Sequence, residues 1–291
     1  IGIAGAGMSA LAQYLKGTGK EVSGSDRYFT PDTFNKTKEQ LEADGIHCFL
    51  QDGSGITEKT DLVVVSTAIE NTVAEVVKAQ ELNIPVIKRS ELLAMICDSK
   101  KTIAIAGTSG KSTTAAMLFH ILAKAGLEPG IITGAGLTSL IKKGKIGNAT
   151  VGKGEWLIIE ADESDGSVVQ YRPEIGVLLN VDKDHQEMEE LMQLFTIFKN
   201  NTKGKFIVNQ SNMQAALLSE NLETDFGFEN KIAKYNATDF QQKGFELTFQ
   251  VLGQTIKMNA VGRHSVENAT AAIAVAHQIG VDLKTCAESL S

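Results

Sequence analysis

The sequence predicts an α/β protein, with an N-terminal Rossmann-like domain followed by a P-loop mononucleotide-binding α/β domain. Three observations predict it. Short β-rich runs alternate with helical patterns through most of the 291 residues, as they do in βαβ units around parallel strands. A glycine turn, Gly5-Ala6-Gly7-Met8-Ser9-Ala10, follows the first apolar run. A second, Gly107-Thr108-Ser109-Gly110-Lys111-Ser112-Thr113, opens a fresh βαβ series.

The first domain is expected to span residues 1–98. It opens with a strand at 1–4, the glycine turn, a helix at about 9–16 and a strand at 21–24 that ends on Ser25 and Asp26. A helical stretch at 32–44, a strand at 47–50, an apolar run at 61–66, a helix at 75–82 and a strand at 85–87 continue the alternation. The polar stretch 98–101 is the expected linker, and the second domain would span 99–291. It starts with a strand at 102–106, the second turn and a helix to about 125. Strands at 130–133, 156–159, 175–179 and 206–208, a hairpin at 245–260 around Leu252-Gly253, and a closing helix at 266–278 complete it.

Composition narrows the partners. With 28 Lys and Arg against 35 Asp and Glu, the net charge is −7, which argues against a broad nucleic-acid or anionic-membrane surface, since both need clustered cations. A phosphate ligand must therefore be held locally. Cys48, Cys97 and Cys286 show no C-x-x-C spacing, so buried thiols in a reducing compartment are expected rather than a zinc site. Apolar runs such as 62–65 are too short to cross a bilayer, and no targeting segment opens the chain, which gives a cytoplasmic expectation. The first residue already reads as part of a strand, so a few residues are expected to precede it.

Strand, glycine turn, helix is the arrangement in which main-chain N–H groups surround phosphate oxygens. Lys111 would reach the β and γ phosphates of ATP, and Ser112 would offer its hydroxyl to Mg2+. The apolar strand at 156–159 runs into Glu160, Asp162, Glu163 and Asp165, which places carboxylates at a strand's C-terminal edge, where open α/β sheets bind ligands. The strand at 175–179 likewise ends in Asn180, Asp182, Asp184 and His185. A lone histidine is usually a core or surface residue; only these neighbours make His185 a metal-ligand candidate. In the first domain, the G-x-G-x-x-A turn with Asp26 21 positions after Gly5 fits the dinucleotide-binding fingerprint. A dehydrogenase is the natural rival, but it needs no second lysine-bearing turn, and such turns also accept the diphosphate of a UDP-sugar.

Together these residues resemble the Mur ligase family, and within it the type that adds L-alanine to UDP-N-acetylmuramate. Residues 3–9, 23–26 and 64–69 look like that family's UDP-sugar domain; residues 106–114, 160–165, 184–185 and 262–264 with Asn268 look like its ATP domain. The resemblance implies an ATP-dependent ligation through an acyl phosphate, with Lys111, Glu160 and His185 as catalytic residues. It implies ATP contacts from Gly107, Thr108, Ser109, Gly110, Lys111, Ser112, Thr113, Arg263, His264 and Asn268. Ser112 and Glu160 would hold one Mg2+ and His185 a second. Gly5, Ala6, Gly7, Met8, Ser9, Asp26, Ser66 and Thr67 would hold the sugar nucleotide. Ser109 stands where this type usually has histidine, and Ser265 where it has asparagine. Mur ligases carry a C-terminal domain that helps bind the incoming amino acid; it lies outside residues 1–291, so binding without efficient turnover is expected. A muropeptide-recycling ligase adding a tripeptide, and a nucleotide-binding sensor without catalysis, are the alternatives.

Overall fold

The computed structural model describes residues 1–182 and 187–291. Its first stretch contains α1 Ala6–Gly17, β1 Ser23–Ser25, α2 Lys36–Ala43, β2 His47–Phe49, β3 Val63–Val65, α3 Ala74–Glu81, β4 Val86–Lys88 and α4 Arg89–Asp98. The middle contains β5 Lys101–Ala106, α5 Lys111–Lys124, β6 Gly130–Ile132, α6 Thr138–Ile141, β7 Ala149–Thr150 and β8 Trp156–Ala161. The last contains β9 Ile175–Leu178, α7 Met188–Asn201, β10 Lys205–Val208, α8 Met213–Ala216 and β11 Phe226–Phe228. After these come β12 Tyr235–Lys243, β13 Glu246–Val251, β14 Gln254–Asn259, α9 Arg263–Gln278 and α10 Leu283–Leu290. The α/β class read from the sequence holds. Two compact units emerge, residues 1–96 with 131–151 and residues 97–130 with 152–291. The sequence pattern alone suggests a single boundary at 98/99.

In the first unit, β1 pairs with β2 in parallel and β3 with β4 in parallel. The first residues bond to both ladders: Ile1 N donates to Val64 O at 2.7 Å, Ser66 N donates to Ile1 O at 3.3 Å, and Gly2 N and Ile3 N both donate to Ser25 O. Residues 1–4, expected as a strand, form no regular one, because Gly2 (φ 81°) turns the backbone so that two successive N–H groups meet one carbonyl. The helix expected from residue 32 starts at Lys36, where the Asn35 side chain accepts from Lys38 N, an N-cap that fixes the start. Two apolar clusters hold the unit, one around Ile3, Phe29, Leu41 and Ile46, the other around Ile1, Val63, Val76 and Ala79.

In the second unit, β10, β9, β5 and β8 run side by side in parallel. From Thr102 to Ala106 every β5 residue is buried, the continuous apolar pattern of a strand covered on both faces. Ala106 lies opposite both Ala161 and Leu178. That register makes Gly107, Asp162 and Leu179 leave the sheet at one level, the C-terminal edge. Helix α9, with a buried run from Ala269 to Ala276, packs on α5 and β11. The expected hairpin is β13–β14, turning at Leu252 and Gly253, both with positive φ, as a two-residue hairpin loop requires. Helices α4, α7 and α10 and strands β11 and β12 went unread in the sequence; α4 lies where the first domain was expected to trail into a linker.

Candidate functional site

Strand β5 delivers the chain into residues 107–110, and α5 begins at Lys111 with Gly110 as a left-handed N-cap, φ 86°. No side chain caps this helix, and the first N–H groups of any helix lack intrahelical acceptors, so the turn presents donors and a positive dipole end to an anion. A β-carbon at Gly110 would stand 2.5 Å from Asn268 Oδ1. Asn268 therefore lies directly against the turn, delivered from the first turns of α9.

Asn180, just beyond β9, holds the turn from the other side. Its Oδ1 accepts from Thr108 Oγ1 at 2.8 Å and Ser109 N at 2.9 Å, its Nδ2 donates to Ser109 O at 3.0 Å, and its carbonyl accepts from Thr108 N. Four bonds from one residue fix residues 108 and 109. Lys111 Nζ donates to Gly107 O at 2.7 Å and to Glu163 Oε2 at 2.8 Å, both partners of that ion pair being largely buried. Ser112 Oγ donates to Glu160 Oε2 at 2.9 Å. The acidic run thus divides its labour: Glu160 faces Ser112, Glu163 faces Lys111, while Asp162 accepts from Ser164 and Asp165 from Ser167 N within their own loop.

Among the described residues no group of three or more His, Cys, Asp and Glu side chains converges on a metal site. The adjacent Ser112 hydroxyl and Glu160 carboxylate supply two hard oxygen donors. That suits Mg2+, which usually takes few protein ligands and completes its shell with phosphate and water. His185, expected as a catalytic residue and a metal ligand, lies outside the described residues. Arg263 donates to Glu267 Oε1 at 2.7 Å and stacks its guanidinium 4.7 Å from the Phe228 ring centre. His264 stands in the same first turn of α9, next to Gly262.

The first unit carries the other glycine turn. Helix α1 starts at Ala6 with Gly5 as an uncapped N-cap and no acidic residue in its first turn. Arg89, at the start of α4, lies along it: a β-carbon at Gly7 would be 3.1 Å from Arg89 Cδ and 3.3 Å from Nη1. Asp26 is buried and its two oxygens accept from Ala4 N at 2.9 Å and Tyr28 N at 3.1 Å, so it ties the turn to the end of β1. Met8 and Ser9 turn their side chains into the interior. Ser66 follows β3 beside Gly2, and Thr67 next to it is exposed. Glu163, Asn180, Arg89 and Asn148 were not among the candidate site residues; Glu163, in the acidic run after one apolar strand, and Asn180, closing another, left a signal, while Arg89 and Asn148 left none.

Strand, lysine-bearing glycine turn and helix, with a carboxylate on the neighbouring strand facing the residue after the lysine, define a P-loop mononucleotide-binding α/β unit joined to a second glycine-turn unit. The Mur ligase middle domain matches residues 105–276, and the Mur ligase family catalytic domain matches residues 1–101. The chain belongs to the Mur ligase family. It is 37% identical, over 97% of its length, to the UDP-N-acetylmuramate--L-alanine ligase of Geotalea uraniireducens, and 34% identical, over 100%, to that of Carboxydothermus hydrogenoformans. It covers 62% and 63% of those proteins, so the chain spans a little under two thirds of the curated relatives it matches. Among solved structures it resembles the UDP-N-acetylmuramate-alanine ligase MurC of Thermotoga maritima, with TM-score 0.84 and 25% identity over 99% of this chain and 66% of that one. It also resembles the UDP-N-acetylmuramate:L-alanyl-gamma-D-glutamyl-meso-diaminopimelate ligase of Neisseria meningitides, with TM-score 0.81 and 26% identity over 99% and 95%.

Proposed function

We propose that these residues are the sugar-nucleotide-binding and ATP-binding parts of a cytoplasmic ligase that joins L-alanine to the lactyl carboxylate of UDP-N-acetylmuramate, in peptidoglycan precursor synthesis. Residues 1–98 carry the glycine turn that holds the UDP-sugar, and residues 99–291 contain the ATP site. The observation that carries this reading is the pairing of Lys111 with Glu163, and of Ser112 with Glu160, at the edge where β5 and β8 end.

In the reaction, a carboxylate oxygen bonds to the γ-phosphorus of ATP as the bond to the β-γ bridging oxygen breaks, releasing ADP. The amine of L-alanine then attacks the acyl phosphate carbon, phosphate leaves, and the amine gives up a proton. Two anions must approach each other, so stabilising phosphoryl charge is the main task. The N–H groups at the start of α5 cradle the phosphates, and Lys111 exchanges Glu163 for the β and γ oxygens. Ser112 and Glu160 would hold Mg2+, which supplies charge neutralisation on the phosphates when bound. Asn268 and Asn180 keep the turn in shape; Arg263 and His264 flank the nucleotide from α9. In residues 1–98, the N–H groups of Ala6, Gly7 and Met8 take the diphosphate with Arg89 as the neighbouring cation, Asp26 fixes the turn, and Ser66 and Thr67 border the sugar.

Calorimetry tests this directly. Mg-ATP and UDP-N-acetylmuramate should each bind with one-to-one stoichiometry, and a folded sample that binds neither sinks the proposal. A tripeptide in place of L-alanine is the alternative, favoured by the likeness to the Neisseria meningitides ligase. Mass analysis of the product formed by the full-length protein from a mixture of L-alanine and tripeptide decides between them.

A further inference from the structure

Asn148 joins the 131–151 segment to the first glycine turn. It is 2% exposed, and its Nδ2 donates to Ala6 O at 2.8 Å and to Ser9 Oγ at 3.0 Å. Its Oδ1 accepts from Gln13 Nε2 at 2.7 Å, and Gln13 Nε2 also donates to Ser9 O. The Gln13 bond sets which way the Asn148 amide faces, because a donor on Gln13 can meet only the oxygen of Asn148. Ser9 Oγ in turn donates to Ala6 O at 3.0 Å. With its one proton on Ala6 O and a lone pair on Asn148, Ser9 has no hydroxyl proton left for a phosphate. The Ser9 side chain belongs to the scaffold of the turn, and the phosphate donors are main-chain N–H groups.

The same residues border a cleft of about 220 Å³ lined by Ala4, Ala6, Ser9, Thr37, Gly134, Gly136, Ile146 and Asn148. One wall is the glycine turn. The β6–β7 connection supplies Gly134, Gly136, Ile146 and Asn148, and is held by Thr133 N to Asn148 O at 2.9 Å and Leu137 N to Gly147 O at 2.8 Å. The volume is below the roughly 300 Å³ at which sites for whole drug-sized ligands begin, so this cleft fits one part of a sugar nucleotide rather than all of it. Gly134 and Gly136 line the cleft together with a turn whose helix N-terminus is uncapped, and an anionic group suits such a helix end.

Resting on the reading of the first unit as a UDP-sugar site, we infer that residues 134–148 form the second wall of its diphosphate subsite, and that Asn148 is the positioning residue that holds the glycine turn in its ligand-accepting form. The ligand class is a nucleoside diphosphate. Because Asn148 acts on the turn and not on the base, its loss should weaken binding of the diphosphate and leave the nucleoside untouched.

The test titrates uridine, UDP, UDP-N-acetylmuramate and Mg-ATP into the wild-type chain and into Asn148→Ala, Asn148→Asp and Gln13→Met. Asn148→Ala and Asn148→Asp should weaken UDP and UDP-N-acetylmuramate tenfold or more, the aspartate by the larger factor since its oxygens face Ala6 O, with uridine and Mg-ATP within twofold of wild type. Gln13→Met keeps Asn148 but releases its amide, and should cost UDP a few-fold with an unaltered melting temperature, which keeps the test decisive if the Asn148 variants fold poorly. UDP affinity unchanged in all three variants overturns the role of Asn148. An equal loss for all four ligands overturns it too, since that marks general destabilisation. A wild-type chain that binds Mg-ATP but neither UDP nor UDP-N-acetylmuramate overturns the sugar-nucleotide reading itself, and this inference with it.

Discussion

The two glycine turns solve different problems with the same backbone device. Both begin a helix that no side chain caps, so both offer N–H groups and a dipole to phosphate. The first is surrounded by groups that fix it: Asp26 on Ala4, Asn148 on Ala6 and Ser9, Gln13 on Asn148. The second is also fixed, by Asn180, but adds Lys111 and Ser112, each paired with a carboxylate, which the proposed function has them exchange for a ligand. A diphosphate that is only gripped needs a rigid cradle. A triphosphate that must react needs, in addition, charge that can move onto the transferring group.

Removing the movable charge should break this contrast most visibly. Lys111→Ala should lower Mg-ATP affinity by at least tenfold to a hundredfold, the range expected for about 1.5–3 kcal/mol of hydrogen bonding to a charged group. UDP-N-acetylmuramate binding should be unchanged. Calorimetry with both ligands reads this, and an equal loss for the two would erase the distinction between the turns.

The next effect comes from the backbone. Gly5 has φ −65°, and its added β-carbon would meet only Gly2 O at 3.4 Å. Gly110 has φ 86° and Asn268 Oδ1 at 2.5 Å. Gly110→Ala should cost about 1–3 kcal/mol of stability from the left-handed conformation alone and weaken Mg-ATP binding as well. Gly5→Ala should stay within about 1 kcal/mol of wild type. Urea denaturation of the two variants side by side checks it.

Glu163→Gln sharpens the idea that Lys111 is exchanged between partners. Without the carboxylate, the unliganded state loses a largely buried ion pair and should become less stable. Phosphate, no longer in competition with Glu163, should bind a few-fold more tightly. Weaker Mg-ATP binding would instead make Glu163 a residue that aims Lys111.

How much of this was legible in advance follows sequence distance. The second turn could be read because its groups are consecutive: residues 107–113 carry the Gly-Lys-Ser part of the motif, although Ile105 stands where its first glycine would be. Glu160 could be read because a fully apolar strand ends on it. Glu163 bonds Lys111 across 52 positions and Asn148 bonds Ala6 across 142, and nothing local in either stretch names its partner. The expected strand at 1–4 failed for a local reason, since Gly2 bends a segment whose residue types look extended. Asp26 matched the ribose-binding position of a dinucleotide fingerprint, yet its oxygens meet main-chain N–H groups. Spacing can place a carboxylate at a strand end without saying what it bonds.

Cysteine labelling compares the two regions in one sample. Cys48 lies on β2 of the first unit; burial, with Glu42 adding to it, raises its thiol to about 11. Cys286 lies on α10 of the second, and burial raises it to about 12. Thiolate is the reactive form, so at pH 8 both thiols should label slowly, Cys286 by way of local opening because it is buried and Cys48 less so because it is half-buried. The stability tied to the raised Cys286 pKa is fully present below the ordinary thiol value of 9.0 and is lost as pH climbs towards about 12. That leaves pH 8 outside the titration window. UDP-N-acetylmuramate should slow disulfide-reagent labelling at Cys48 and Mg-ATP should slow it at Cys286, each by up to about a hundredfold with ligand at 100 times Kd. Each ligand should leave the other cysteine unchanged. If either ligand protects both thiols equally, the two glycine turns report to one cooperative body, and the division between a rigid cradle and a movable-charge site loses its thermodynamic meaning.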